Sequence, residues 1–302
     1  MYCFFDNAFL PEQELNLANN RAFEYGDGFF ETIIVQNGKI LYISDHFTRI
    51  KNASQILFLQ LPDGFSEDFL KKIIQKLITD NFNDVDIKNN IIDNNNQAIF
   101  RIKIVFWRKN GGFYTPTVSE NECNTHILVR VVPYEIKNIK HSVLSQNPLL
   151  KVAFSDKIKL SFSSFSSYKT LNALPYILAG IEKTNRNLDE IILLDTQNNI
   201  SECVAANIFW IKNDKIFTPN LQTGCVGGVM REQVIRIAKE FSIDLEEGFF
   251  QKEHLIDANC LFTTNVTGIR QIQKLENFEN LTYIGIHQIL EKITQTIYQK
   301  NS

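Results

Sequence analysis

Apolar residues recur at two spacings along this chain. Some segments are short apolar runs or alternate, and others repeat every third or fourth residue, which separates strands from helices. Residues 2–5, 30–35 and 39–43 are apolar runs of strand length. Asn37-Gly38 lies between the last two. Both residues tolerate positive φ, so a hairpin is predicted there. Ser44 is placed to cap a helix over 45–59, with Ile50, Ala53, Ile56 and Leu57 on its apolar face. Ser66 opens a second helix, in which Phe69, Leu70, Ile73, Ile74, Leu77 and Ile78 fall at helical spacing. Residues 81–96 are rich in Asn and Asp and predict a surface excursion. Strands fit 98–107 and 126–132, joined through a loop at 108–116 that contains Gly111-Gly112.

Residues 133–150 carry weak periodicity and read as a crossing between two halves. A helix is predicted over 170–185, strands over 190–194, 207–211 and 215–218, a helix over 229–241, a strand near Leu261 and a last helix over 284–298. Helices do not alternate strictly with strands, which favours an α+β fold over a doubly wound sheet. The expected division is an N-terminal α/β domain at 1–133, a connection at 134–150 and a C-terminal domain at 151–302. No internal repeat is visible.

Composition narrows the class. A length of 302 residues suits one or two domains, and 44% hydrophobic residues can bury a sizeable core. The net charge is −3 and the lysines and arginines are scattered, so neither nucleic acid nor an anionic membrane is an expected partner. No apolar stretch approaches the ~18 residues of a membrane span. Cys3, Cys123, Cys203, Cys225 and Cys260 include no CxxC pair, which argues against a disulfide framework or a zinc site. The opening Met1-Tyr2-Cys3-Phe4-Phe5-Asp6 has no basic segment of the kind a signal peptide needs, so a cytoplasmic location is expected.

Three stretches carry chemistry. Lys169 stands in Tyr168-Lys169-Thr170-Leu171-Asn172, and Glu202 opens Glu202-Cys203-Val204-Ala205-Ala206-Asn207-Ile208-Phe209-Trp210. Gly227-Gly228-Val229-Met230-Arg231 then starts a predicted helix. Taken singly, these are a solvated lysine, an exposed glutamate and a loop before a helix. Together they are a Schiff-base lysine, a carboxylate for a pyridinium nitrogen and a glycine turn for a phosphate, the parts pyridoxal 5'-phosphate (PLP) requires. Their order resembles the class IV aminotransferase family, the fold type IV PLP enzymes, from about residue 20 to 270.

The resemblance implies a two-domain α+β fold of the D-amino-acid aminotransferase type. A smaller N-terminal α/β domain would precede a larger C-terminal domain carrying the PLP lysine. It makes Lys169 the catalytic lysine and sets Glu202 against the pyridine nitrogen. The backbone of Val229 and Met230 would hold the phosphate on one side, and Asn265 and Val266 on the other. Asp45-His46-Phe47-Thr48-Arg49-Ile50 is similar to a family helix whose arginine contacts that phosphate, which gives Arg49 this role and leaves His46 structural. Tyr25-Gly26-Asp27-Gly28-Phe29-Phe30-Glu31-Thr32 matches a further signature. It places Tyr25 and Glu31 at a pocket for a small-molecule substrate, with Arg108 and Tyr114 from the loop. A homodimer with the active site near its interface is also implied.

The reaction is read from departures. Glu202 is followed by Cys203 where aminotransferases carry glycine, and Gly227-Gly228-Val229-Met230-Arg231 replaces their Pro-Gly-x-Thr-Arg. Both, and the loop Gly111-Gly112-Phe113-Tyr114, resemble the lyase branch of the family. That branch eliminates pyruvate from 4-amino-4-deoxychorismate to give 4-aminobenzoate for folate synthesis. One position disagrees: the branch carries an arginine after the glycine pair, and this chain has Phe113. Arg108 or Lys109 is the expected substitute. The alternative is an aminotransferase acting on branched-chain or D-amino acids with 2-oxoglutarate.

Overall fold

Period-two burial builds the first sheet. Along Ile99–Arg108, Ile102, Ile104 and Phe106 are fully buried while Arg101 is exposed, so one face of the strand meets a core. The computed structural model describes residues 1–15, 17, 20–82, 99–117, 123–133, 151–278 and 286–301. The chain divides into two compact units, Met1–Lys137 with Tyr168–Asn172, and Asn138–Ser167 with Ala173–Ser302.

The first unit holds β1 (Tyr2–Phe5), β2 (Ala8–Pro11), β3 (Gly28–Gln36), β4 (Lys39–Ile40), β5 (Ile99–Arg108) and β6 (Thr125–Pro133). They form one antiparallel sheet in the order β2-β1-β6-β5-β3-β4. Helices Ile43–Ile56 and Glu67–Asn81 supply Ile50, Leu70, Ile74 and Leu77 to a core shared with Ile33, Ile102 and Phe106. Each such fully buried side chain contributes roughly 1.5–3 kcal/mol. Asn37 and Gly38 take φ of 50° and 77° and turn β3 into β4, as the dipeptide predicts. Ser66 caps its helix, accepting a hydrogen bond from Phe69 N–H at 3.2 Å. Ser44 does not cap: Tyr42 turns left-handed, the helix begins at Ile43, and Ser44 lies inside its first turn. The helix also stops at Ile56, short of the predicted 59, because Phe58 turns left-handed with φ 53°. Ile56 consequently stays exposed.

The second unit holds β7 (Val152–Leu160), β8 (Glu190–Asp195), β9 (Ile200–Cys203), β10 (Asn207–Lys212), β11 (Lys215–Pro219), β12 (Leu245–Gly248), β13 (Cys260–Asn265) and β14 (Gly268–Ile272). β7-β8-β9 make a mixed sheet of three strands, and β12-β11-β10-β13-β14 one of five. Helices span Leu174–Asn185, Val229–Glu240 and Gln288–Asn301. The helix predicted from Thr170 begins only at Leu174. Residues 169–171 instead run extended beside β3: Phe30 N–H donates to Lys169 O at 2.8 Å and Leu171 N–H to Gly28 O at 2.9 Å. The same bonds explain why Tyr168–Asn172 belong with the first unit and not with 151–302. The excursion at 83–96, the connection at 134–150 and the start of the last helix at 284 lie outside the described residues. Among the described residues, no helix is long and apolar enough to cross a membrane. No group of three or more His, Cys, Asp or Glu is placed to hold a metal ion among them.

Candidate active site

β3 positions Lys169 within the first unit. Its edge pins the backbone from the Lys169 carbonyl to the Leu171 N–H, and Lys169 Nζ lies 5.7 Å from the centre of the Phe30 ring. Glu31 lies on the same strand and is 1% exposed. Arg49 Nε donates to Glu31 Oε2 at 2.9 Å, Arg49 Nη2 bonds Oε1, and His46 Nδ1 meets Oε1 at 3.1 Å. Burial is the largest influence and works to raise the Glu31 pKa, but Arg49 and His46, through charge and hydrogen bonds, together outweigh it and hold the carboxyl well below the usual range. Burial also lowers the His46 pKa, so the ring is neutral, with Nδ1–H the donor to Glu31. Glu31 therefore does not line a pocket as the sequence suggested. It is a buried anchor that orients Arg49.

The loop after β5 is held by a cation that the sequence reading passed over. Arg21 is buried; its Nε donates to Asp27 Oδ2 at 2.7 Å. Its Nη1 donates to the carbonyls of Gly111, Gly112 and Phe113 at 3.2, 3.2 and 2.7 Å. Gly112 is required there: its φ is 69°, and a Cβ would come within 2.1 Å of Thr115 O. The loop carries exposed Phe113 and Tyr114, the Tyr114 ring meeting Tyr25 edge-on with centres 5.6 Å apart. Arg108 does not replace the missing loop arginine. Its guanidinium bonds both oxygens of Asp27, at 3.0 and 3.2 Å, and the carbonyls of Leu57 and Phe58, at 2.8 and 2.9 Å. The signal that would have found Arg21 is the pairing of an arginine with Asp27 six residues on, in the glycine signature.

The second unit holds a buried carboxylate of its own. Glu202 on β9 is buried; its Oε1 accepts from Tyr176 O–H at 2.6 Å and Val226 N–H at 3.0 Å, and its Oε2 from Asn207 Nδ2 at 3.2 Å. Asn207 Nδ2 also donates to Val226 O at 2.7 Å, which ties the carboxylate to the glycine turn. At Gly228 a Cβ would lie 2.1 Å from Asn207 Oδ1, so a side chain here would push the Asn207 amide off its bonds to Glu202 and Val226. The helix Val229–Glu240 starts immediately after it with no side-chain cap. Its first N–H groups have no partner inside the helix, an arrangement that can accept an anion. Asn265 occupies its own side chain, donating to Ala205 O at 3.1 Å and accepting from Thr267 N–H at 2.9 Å. Burial pushes the Cys203 thiol well above its usual pKa and Cys225 up to about 12, so neither is a nucleophile. Tyr176 and Asn207 were not assigned from sequence, although Asn207 stands inside the quoted motif.

These groups fit PLP. A primary amine is pinned on a strand edge, and a buried carboxylate is surrounded by donors. An uncapped helix start follows a glycine that clears Asn207. Thr264, paired with Asn207 across β10 and β13, has a buried Oγ1 with no hydrogen-bond partner among the described residues, a donor available to a bound phosphate. Fold and residue set define the class: a two-domain α+β enzyme of fold type IV. The chain belongs to the class IV amino-transferase family, whose model matches residues 28–275. This family of enzymes depends on PLP. The chain is 24% identical over 294 residues to an aminodeoxychorismate lyase of Vibrio harveyi, covering 94% of this chain and 96% of that protein. It is 22% identical to a D-alanine aminotransferase of Listeria monocytogenes, over 82% of this chain and 78% of that protein. The branched-chain amino acid aminotransferase of Escherichia coli superposes with a TM-score of 0.80 at 19% identity, over 99% of this chain and 93% of that one.

Proposed function

We propose that the chain is a PLP-dependent lyase that splits 4-amino-4-deoxychorismate into 4-aminobenzoate and pyruvate. The observation that carries this reading is the end-to-end likeness to the Vibrio harveyi lyase. Lys169 Nζ would hold the cofactor until the substrate amine displaces it; the freed amine would then take the proton from C4 of the substrate and return one to the departing enolpyruvyl group, which leaves as pyruvate while the ring becomes aromatic. When bound, PLP supplies the electron sink for the carbon that loses its proton. Glu202 keeps the ring nitrogen protonated. The N–H groups of Val229 and Met230 and the turn at Asn265 and Val266 would hold the phosphate, and by family resemblance Arg49 would offer it a guanidinium. Tyr25 and Tyr114 face the substrate.

The second reading is an aminotransferase for branched-chain or D-amino acids. Phe113 favours it, because no arginine stands after the glycine pair and Arg108 is bound to Asp27. The two readings differ in what 2-oxoglutarate does. The lyase is expected to turn over aminodeoxychorismate at the same rate with and without 2-oxoglutarate, and to leave leucine, valine and D-alanine unchanged. Keto-acid-dependent consumption of any of those amino acids, with no turnover of aminodeoxychorismate, would sink the lyase reading.

The protein acts as a homodimer in this account. Leu174, Ile177, Leu178 and Ile181 are exposed at helical spacing on one helix, an apolar stripe that suits a subunit contact. Light scattering is expected to give twice the chain mass of 34.9 kDa. A monomer at micromolar concentration contradicts it.

A further inference from the structure

Glu202 does not stand alone, and one of its partners is a side chain whose hydroxyl is given to this carboxylate. Tyr176 lies in the first turn of the helix Leu174–Asn185, and its ring packs with Leu160, Ala179, Ile191 and Leu193. That packing aims the hydroxyl at Glu202 Oε1, 2.6 Å away. A separation of that size is typical of an O–H donor on an ionised carboxylate, the stronger kind of hydrogen bond.

We infer that Tyr176 is a positioning residue that acts through Glu202, weakening that carboxylate's hold on a proton so that the proton stays on the cofactor's ring nitrogen. The inference rests on the reading of Glu202 given above. A donor to the anionic form of a carboxylate stabilises that form and lowers its basicity. Val226 N–H and Asn207 Nδ2 act in the same direction, but they also fix the glycine turn. Tyr176 is the donor that can be removed without touching the turn. Burial, and then the Glu202 charge, push its phenol far above the usual tyrosine pKa, so it remains a donor throughout the working pH range. Without that hydroxyl, Glu202 becomes the better base and draws the proton from the ring nitrogen. A less positive ring is a weaker electron sink, and it releases its other proton at higher pH.

The test compares Tyr176→Phe, Glu202→Gln and the double variant as PLP-loaded enzymes. Turnover is measured together with the pH titration of the bound cofactor's visible absorbance. Tyr176→Phe is expected to lower kcat about tenfold with KM unchanged, the size of one charged hydrogen bond. It is expected to raise the titration midpoint by about one unit. The double variant should match Glu202→Gln alone, because the hydroxyl acts only through the carboxylate. If Glu202→Gln moves the midpoint and Tyr176→Phe does not, the inference about Tyr176 is wrong and the reading of Glu202 stands. If Glu202→Gln itself leaves both kcat and midpoint unchanged, the reading of Glu202 fails and takes the inference with it.

Discussion

A Lys169→Ala chain is expected to lose turnover by at least about 10³-fold, the scale of a missing proton-transfer group, and to lose the visible absorbance of lysine-bound PLP. Its far-ultraviolet circular dichroism should match the parent. The reason lies in how this residue is held. The backbone bonds that hold it, Phe30 N–H to Lys169 O and Leu171 N–H to Gly28 O, involve no side-chain atom of residue 169. Phe29 and Thr170 complete the pairing as an isolated bridge. Truncation at Cβ therefore removes the amine and leaves its platform intact. Full visible absorbance in the purified variant would show that another amine holds the cofactor.

Arg49→Ala is expected to cost about 3–5 kcal/mol of stability at neutral pH, the usual result of removing one member of a buried ion pair. That corresponds to a fall in Tm of roughly 10 °C. Glu31 is 1% exposed, and losing Arg49 leaves it with neutral His46 and the Thr32 N–H, which carry no compensating charge. The pH dependence follows from sign. In the parent, Glu31 has a folded pKa below its unfolded value of about 4.3, so its stabilisation is present above that pH and lost as pH falls. In the variant, burial without the guanidinium pushes the pKa the other way, so the penalty present at pH 7 eases on acidification. The gap in Tm between parent and variant, measured on the cofactor-free proteins, should therefore shrink between pH 7 and pH 4. Adding Glu31→Gln to Arg49→Ala should restore part of the loss at pH 7. An unchanged gap across that range, or no recovery in the double variant, contradicts the buried-pair account.

Much of the fold was legible because periodicity is local. Ile102, Ile104 and Phe106 announce a half-buried strand, and Asn37-Gly38 a hairpin, without reference to the rest of the chain. What was misread depended on distant partners. Residues 169–171 look like a helix start and are captured by β3 through bonds to Gly28 and Phe30. β7 was missed because Ser155-Asp156-Lys157 interrupts its apolar run, where its pairing with β8 shifts register. β9 was missed because it is four residues long and buries Ser201 and Glu202.

The site divides in the same way. The motif residues could be named from their order in the chain. Their partners could not, because Arg21 reaches Gly111 and Tyr176 reaches Glu202 only in the folded molecule. Glu31 was assigned to a pocket for the same reason: nothing in its neighbours predicts that Arg49, eighteen residues on, would enclose it. Arg108 was offered as a substitute cation before its bonds to Asp27 were visible.

The most direct test of the lyase assignment is the stoichiometry of products from the PLP-loaded enzyme given aminodeoxychorismate and no keto acid. The account predicts 4-aminobenzoate and pyruvate in equal amounts, over many turnovers per active site. A protein that shows its bound cofactor yet forms neither product contradicts it.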